Sequence, residues 1–149
     1  MKSENEIFDV FLLFEDPWKR LKIFKKYFKN TKLQMLLRGR NLVGYKKFDD
    51  EIISLFIKNA AVEGIDIFRI FDALNDVKNI KSSIDAVNET GKNSQGTFCY
   101  TTSPVHNDKY WLSLAKTIED MGATSLAIKD MAGLLRPLKA FDLIKSLKK

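Results

Sequence analysis

One cysteine, one histidine and three prolines are all that 149 residues contain of these types. A lone Cys99 excludes an internal disulfide, and in the apolar run TFCY it reads as a small buried hydrophobe. With one thiol and one imidazole in the chain, a cysteine-nucleophile site is a poor reading. His106 follows Pro104 in a loop-like stretch and reads as structural or solvent-facing, not as a ligand. No apolar run is long enough to cross a bilayer, and the N-terminus lacks the charged, apolar, small-residue order of a secretory signal, so no membrane span is expected and a cytoplasmic setting is the default. Neither G-x-G-x-x-G nor G-x-x-x-x-G-K-[ST] occurs, which excludes the usual phosphate-cradling loops of nucleotide-binding proteins.

What is present is an apolar fraction of 45%, enough for a real core, and a net charge of +6. The charge is concentrated in Lys19, Arg20, Lys22, Lys25, Lys26 and Lys29, which interleave with Trp18, Leu21, Phe24 and Phe28 at helical spacing. This pattern predicts the wet side of an amphipathic helix, with Asp16 as N-cap and Pro17 at the first helical position. No helix-turn-helix, aromatic RNA-binding or zinc-finger pattern accompanies it, so no nucleic-acid partner is expected.

Strand-like runs recur along the chain. GIDIFRIFDA (64–73), SQGTFCYTTS (94–103) and GATSLAIKDM (122–131) each end in a polar residue, at Asp72, Thr101 and Asp130, a constant step of 29 residues. KLQMLLRG (32–39) precedes them. Between the runs lie helical stripes: Phe48, Ile52, Ile53, Leu55, Phe56, Ala60 and Val62; Val77, Ile80, Ile84 and Val87, with Asn75 as a candidate cap; Trp111, Leu112, Ala115, Ile118 and Met121; and, after Pro137, Leu138, Phe141, Ile144 and Leu147. Strand and helix alternating about every thirty residues predict βα units and a buried parallel sheet. Reactive side chains gather at the strand ends: Arg38, Arg69 with Asp72, Tyr100 with Thr101 and Thr102, and Lys129 with Asp130. Convergence on one rim favours the (β/α)8 TIM barrel over a doubly wound sheet. About four parallel strands are present where closure needs eight, so residues 1–149 read as a fragment of such a barrel.

The apolar run SLAIK drives Lys129 to the end of a buried strand, where burial disfavours the charged form of an amine. From the residues alone, Lys129 can snorkel to water, pair with Asp130, or act as a neutral amine.

FDVFLLFEDPWKRL, KLQMLLRGRNLVGY, GIDIFRIFDALND, YTTSPVH and IKDMAGLLRP, in this order, resemble the carboxyltransferase domain of biotin-dependent enzymes acting on pyruvate and oxaloacetate: pyruvate carboxylase, the oxaloacetate decarboxylase alpha subunit and the transcarboxylase pyruvate-binding subunit. The resemblance implies carboxyl transfer between carboxybiotin and pyruvate or oxaloacetate, as part of a larger enzyme. Its implied cofactors are a divalent metal (zinc, manganese or cobalt) and biotin on a separate carrier domain or subunit. Its implied partners are that carrier and the remaining half of the barrel. By position, Lys129 matches the lysine that becomes a carbamate and a metal ligand, and Arg38 the arginine that holds the keto acid. Asp9 and Tyr45 match positions near the entering biotin. Arg69, Asp72 and Asn75 are expected to organise the rim by hydrogen bonding.

The departures are equally informative. The family's RDAHQS segment, its H-x-H pair of metal ligands and its proton-shuttling threonine are absent; SENEI stands where WGGAT is usual, and FLLFEDPW is two residues short and lacks an arginine. Of four metal ligands only Lys129 remains. The chain alone is therefore expected to be inactive, and a non-catalytic remnant or split-gene fragment is the alternative reading.

Overall fold

The computed structural model defines residues 16–148. Helix α1 (Pro17–Tyr27) leads into strand β1 (Gln34–Leu37), a 3-10 turn (Gly39–Asn41) and α2 (Asp50–Glu63); then follow β2 (Ile67–Phe71), α3 (Val77–Glu89), β3 (Asn93–Cys99), α4 (Asp108–Asp120), β4 (Ser125–Lys129) and α5 (Pro137–Leu147). α1 starts where its cap pattern places it: the Asp16 side chain accepts from the Trp18 N–H at 2.9 Å, and Pro17 opens the first turn. Among the described residues no helix is long and apolar enough to cross a membrane.

The four strands form one parallel sheet in the order β1-β2-β3-β4. Gln34 lies opposite Ile67, Ile67 opposite Asn93, and Gln95 opposite Ser125, so the register advances by 33, 26 and 30 residues. The constant 29-residue step between Asp72, Thr101 and Asp130 is therefore not the register interval of these strands, which is 26 and then 30 residues. By that register Thr101 stands three residues above the level of Asp72.

Strand alternation sorts the side chains onto two faces. Phe68, Ile70, Ser94, Gly96 and Phe98 point to the helix layer, where Ser94 Oγ donates to Asn88 Oδ1 of α3 at 2.6 Å and Gly96 abuts Ile118 of α4. Arg69, Phe71, Gln95, Thr97, Cys99 and Lys129 point the other way. The core is a single apolar cluster between sheet and helices. Its largest fully buried members include Trp111, Phe68 and Phe98, with the Phe98 and Trp111 rings stacked 5.2 Å apart.

Four helix faces depart from expectation. In α2, Leu55 and Val62 are exposed and Ile57 is buried instead. In α1, Trp18 and Leu21 pack on the core, but Phe24 and Phe28 are 44% and 49% exposed and meet each other edge-on. In α4 Leu114 is buried together with Trp111, Ala115 and Ile118, while Leu112 is exposed. In α5 it is Leu143 that is buried, whereas Leu138 and Phe141 are 81% and 64% exposed. The last has a plain cause. β4 is the final strand of the sheet, so α5 has α4 on one side and no described neighbour on the other.

Candidate active site

The carboxyl ends of the strands form one rim, and each strand end is tied down differently. After β1, the Arg38 N–H donates to the Leu42 carbonyl at 2.7 Å and its carbonyl accepts from the Asn41 N–H at 2.9 Å, closing a tight turn. The guanidinium carbon of Arg38 sits 4.5 Å from the centre of the Tyr45 ring, a cation–π stack between two exposed side chains. At the end of β4, Lys129 Nζ lies 5.1 Å from the centre of the Phe71 ring, which places the amine on the sheet face turned away from the helices.

The neighbouring acids are otherwise engaged. Asp72 Oδ1 accepts from the Leu74 and Asp76 N–H groups at 2.8 and 3.0 Å, and its Oδ2 from Asn79 Nδ2 at 2.8 Å. Asp130 accepts from the Leu134 and Leu135 N–H groups, both at 2.9 Å, and so anchors the loop after β4. Lys129 is thus not paired with Asp130. Asn75 is not the cap of α3; Asp76 is, accepting from the Lys78 N–H at 3.0 Å. Asn75 instead adopts φ +61° and bonds twice to the Cys99 backbone, donating to its carbonyl at 3.0 Å and accepting from its N–H at 2.7 Å. Asp72 and Asn75 organise the rim as expected. Arg69 does not: it lies inside β2, two residues below the strand end, with Nε donating to Gln95 Oε1 at 2.7 Å.

Cys99 is 4% exposed; burial pushes its thiol up, the Lys129 charge opposes this, and the Asp72 charge reinforces it. His106 Nδ1 is 2.7 Å from Ser103 Oγ, and its ring stacks on Trp111, a structural placement. Asp9 lies outside the described residues. Among the described residues, no three His, Cys, Asp or Glu side chains are grouped so as to hold a metal.

Charge compensation covers only part of the described surface: Lys19, Lys26, Lys78 and Lys109, for example, lie in no salt bridge among the described residues, while others do. Lys22, Lys25, Arg40, Lys58, Lys81, Lys92, Lys116 and Lys139 all face a carboxylate within salt-bridge distance. Arg38, Arg69 and Lys129 face a ring or a neutral amide instead. Two cations at one rim, uncompensated among the described residues, suit an anionic ligand. Residue patterns also missed part of the scaffold. Asn79 and Ser83 of α3 hold the β2 and β1 ends, and the available signal was a serine at the buried position between Ile80 and Ile84.

This is the architecture of a barrel-type enzyme, cut to four strands and carrying its polar groups at the carboxyl rim. No known family profile matches the chain. Among curated proteins it is 51% identical over 134 residues to the methylmalonyl-CoA carboxyltransferase 5S subunit of Propionibacterium freudenreichii subsp. shermanii, covering 90% of this chain and 26% of that protein. It is 54% identical over 134 residues to a pyruvate carboxylase subunit of Methanocaldococcus jannaschii, covering 90% and 24%. Among solved structures, the carboxyl transferase domain of Rhizobium etli pyruvate carboxylase with pyruvate and biocytin superposes with a TM-score of 0.92 at 41% identity, over 99% of this chain and 26% of that one. The chain spans about a quarter of the length of these relatives. Its homologues are thus carboxyltransferase and pyruvate carboxylase subunits, the kinship its motifs imply, and its fold is a segment of their barrel domain.

Proposed function

We propose that this chain is the part of a biotin-dependent carboxyltransferase that supplies the keto-acid grip, with pyruvate or oxaloacetate as substrate and the remaining strands of the barrel as its structural partner. The observation that carries this reading is the pair of uncompensated cations, Arg38 and Lys129, at the carboxyl rim of one sheet. Arg38 presents a planar fork of donors, which binds a carboxylate at two points where a lysine offers only a point charge. The guanidinium lies over the Tyr45 ring, and among the described residues no carboxylate pairs with it, so its donors are available to an anionic substrate. Tyr45, 69% exposed, offers a second aromatic face to a ring such as that of biotin.

The carbamate role is assigned to Lys129 on its position at the end of β4, where the side chain is half-buried beside the Phe71 ring. In that role the ammonium first gives up a proton to solvent, the free amine attacks carbon dioxide so that an N–C bond forms as one C–O π bond opens, and a second proton leaves, taking the side chain from cation to carbamate with two protons released. A divalent metal supplies Lewis-acid polarisation of a keto acid in such sites. The described residues do not by themselves fit one: Lys129 is a single ligand, and Asp72 and Asp130 are spent on backbone N–H groups. The chain alone is accordingly expected to lack turnover.

The test is a chimera in which residues 16–148 replace the matching quarter of the Methanocaldococcus jannaschii pyruvate carboxylase subunit. Biotin-dependent decarboxylation of oxaloacetate is expected to survive the graft. Lys129→Ala should abolish it together with bound metal, and Arg38→Lys should weaken pyruvate binding by roughly tenfold or more, the loss of one charged hydrogen bond. A folded chimera that is inactive, or one indifferent to both substitutions, refutes the reading.

A further inference from the structure

The β1 rim is held in place by a helix that comes later in the chain, beyond α2 and β2. Gly39, directly after Arg38, takes φ +48°, and a Cβ added there would lie 2.4 Å from the Asn79 carbonyl oxygen, so the turn lies flat on the main chain of α3. Ser83 Oγ donates to the Gly39 carbonyl at 3.1 Å, and Ser83 is fully buried at 0% exposure. Alongside it, Arg40 Nη1 donates to Ser82 Oγ at 3.3 Å and pairs with Asp50 at 2.8 Å. A hydroxyl sunk among Ile80, Ile84 and Val87 is costly to bury without a partner, and its partner is the carbonyl of Gly39, the residue after Arg38. The Asn79 bond to Asp72 fixes the β2 end to the same helix.

We propose that Ser83 is a positioning residue for Arg38: through the Gly39 carbonyl it sets the backbone from which the guanidinium reaches over Tyr45. This rests on Arg38 being the anion-binding group of the proposed site, but it makes a separate claim about where that guanidinium sits. Without the Ser83 hydroxyl, the Gly39 carbonyl keeps only the Leu42 N–H, at 3.1 Å, a bond internal to the turn. The turn then loses its main-chain tie to α3, leaving the Arg40–Ser82 side-chain bond at 3.3 Å, and the stack on Tyr45 loosens.

The experiment is NMR of the 149-residue chain carrying isotope-labelled arginine. Tyr45→Leu defines the ring-current displacement of the Arg38 side-chain resonances. Ser83→Ala is expected to lose most of that displacement. Ile118→Val, which loosens the β3–α4 seam without touching this turn, is expected to keep it, and so separates positioning from general destabilisation. Should Ser83→Ala not fold, Ser83→Cys, nearly isosteric but a weak donor, is read in the same way, with a partial loss expected. Wild-type Arg38 resonances in the Ser83 variant, an equal loss of the displacement in Ile118→Val, or no difference between wild type and Tyr45→Leu would each overturn the proposal. An inactive chimera in which Arg38 behaves as stated would sink only the functional reading.

Discussion

Replacing Gly96 with alanine places a methyl group inside the seam between β3 and α4. The added Cβ would stand 2.2 Å from Ile118 Cγ2 and 3.0 Å from Ala123 Cβ, where carbon–carbon contact requires about 3.5–4.0 Å. Ile118 would have to retreat by roughly 1.5 Å to restore contact distance. It has little room to do so, being 1% exposed and stiff at its branched Cβ. Nor can the strand yield, since Gly96 is bracketed by Ile70 on β2 and Leu126 on β4. Overpacking of this kind costs about 1–3 kcal/mol, against which alanine recovers roughly 0.5–1 kcal/mol of backbone entropy relative to glycine. A net loss of about 1–2 kcal/mol corresponds to a fall in Tm of roughly 3–6 °C for a chain of this size. Calorimetry or urea titration followed by circular dichroism measures it. A double-mutant cycle with Ile118→Ala makes the test specific. That substitution alone costs about 2–5 kcal/mol. In the double variant the methyl introduced by Gly96→Ala occupies part of the vacated space, so the two costs should fall short of additivity by about 1 kcal/mol. Additive costs, or a Gly96→Ala protein as stable as the parent, would refute the account of this seam.

Two further predictions concern polar anchors at opposite ends of the sheet. Asp66 accepts from Lys25 Nζ at 2.7 Å and the Leu33 N–H at 2.9 Å, with Lys92 at 3.6 Å; burial works to raise its carboxyl, but the Lys25 and Leu33 hydrogen bonds and the charges of Lys25 and Lys92 together hold it below its ordinary value. A depressed folded value means stability that is fully present above the ordinary carboxylate range and lost as pH falls through the folded value. The Tm gap between wild type and Asp66→Asn should therefore be constant near neutrality and shrink below about pH 4; a gap that does not change with pH removes the assignment. At the carboxyl rim, Asn75→Ala loses both bonds to Cys99 and must still adopt φ +61°, whereas Asn75→Gly loses the bonds but not the conformational ease. Urea unfolding should find the glycine variant about 1 kcal/mol the more stable of the two, and the reverse order would count against the positive φ.

The alternation of strands and helices is legible in the sequence because it is written in short-range periodicity, and the Asp16–Pro17 start because a cap needs only its own first turn. Lys129 and Arg38 fall at strand ends as read. What cannot be read locally is decided by neighbours distant in sequence. Asn75 and Asp76 are both good cap residues, and only the Cys99 backbone, available to one of them, settles which caps. Arg69 looks like a rim residue from its nearness to Asp72, but pleat and register place it deeper, beside Gln95. Amphipathicity announces that α5 has apolar surface, yet not which side meets a neighbour, so Leu138 and Phe141 read as core in the sequence and stand exposed in the fold. Ser83 looks like one more polar helix residue, because its partner, the Gly39 carbonyl, lies 44 positions earlier.

The order of the sheet also bears on how the chain assembles. Each of the later strands pairs with the one made just before it, across intervals of 33, 26 and 30 residues, and no described pairing waits for a distant segment. Closing a loop of that length costs on the order of 3 kcal/mol each time, a similar and modest toll at every step. At typical rates of synthesis a new unit of this size emerges every few seconds, long compared with hairpin or helix formation. The sheet can therefore grow strand by strand behind the ribosome, each helix folding down on the pair already in place. Throughout that growth the edge that receives the next strand is always the newest one, so a fault that slows one βα unit holds up only the units downstream of it.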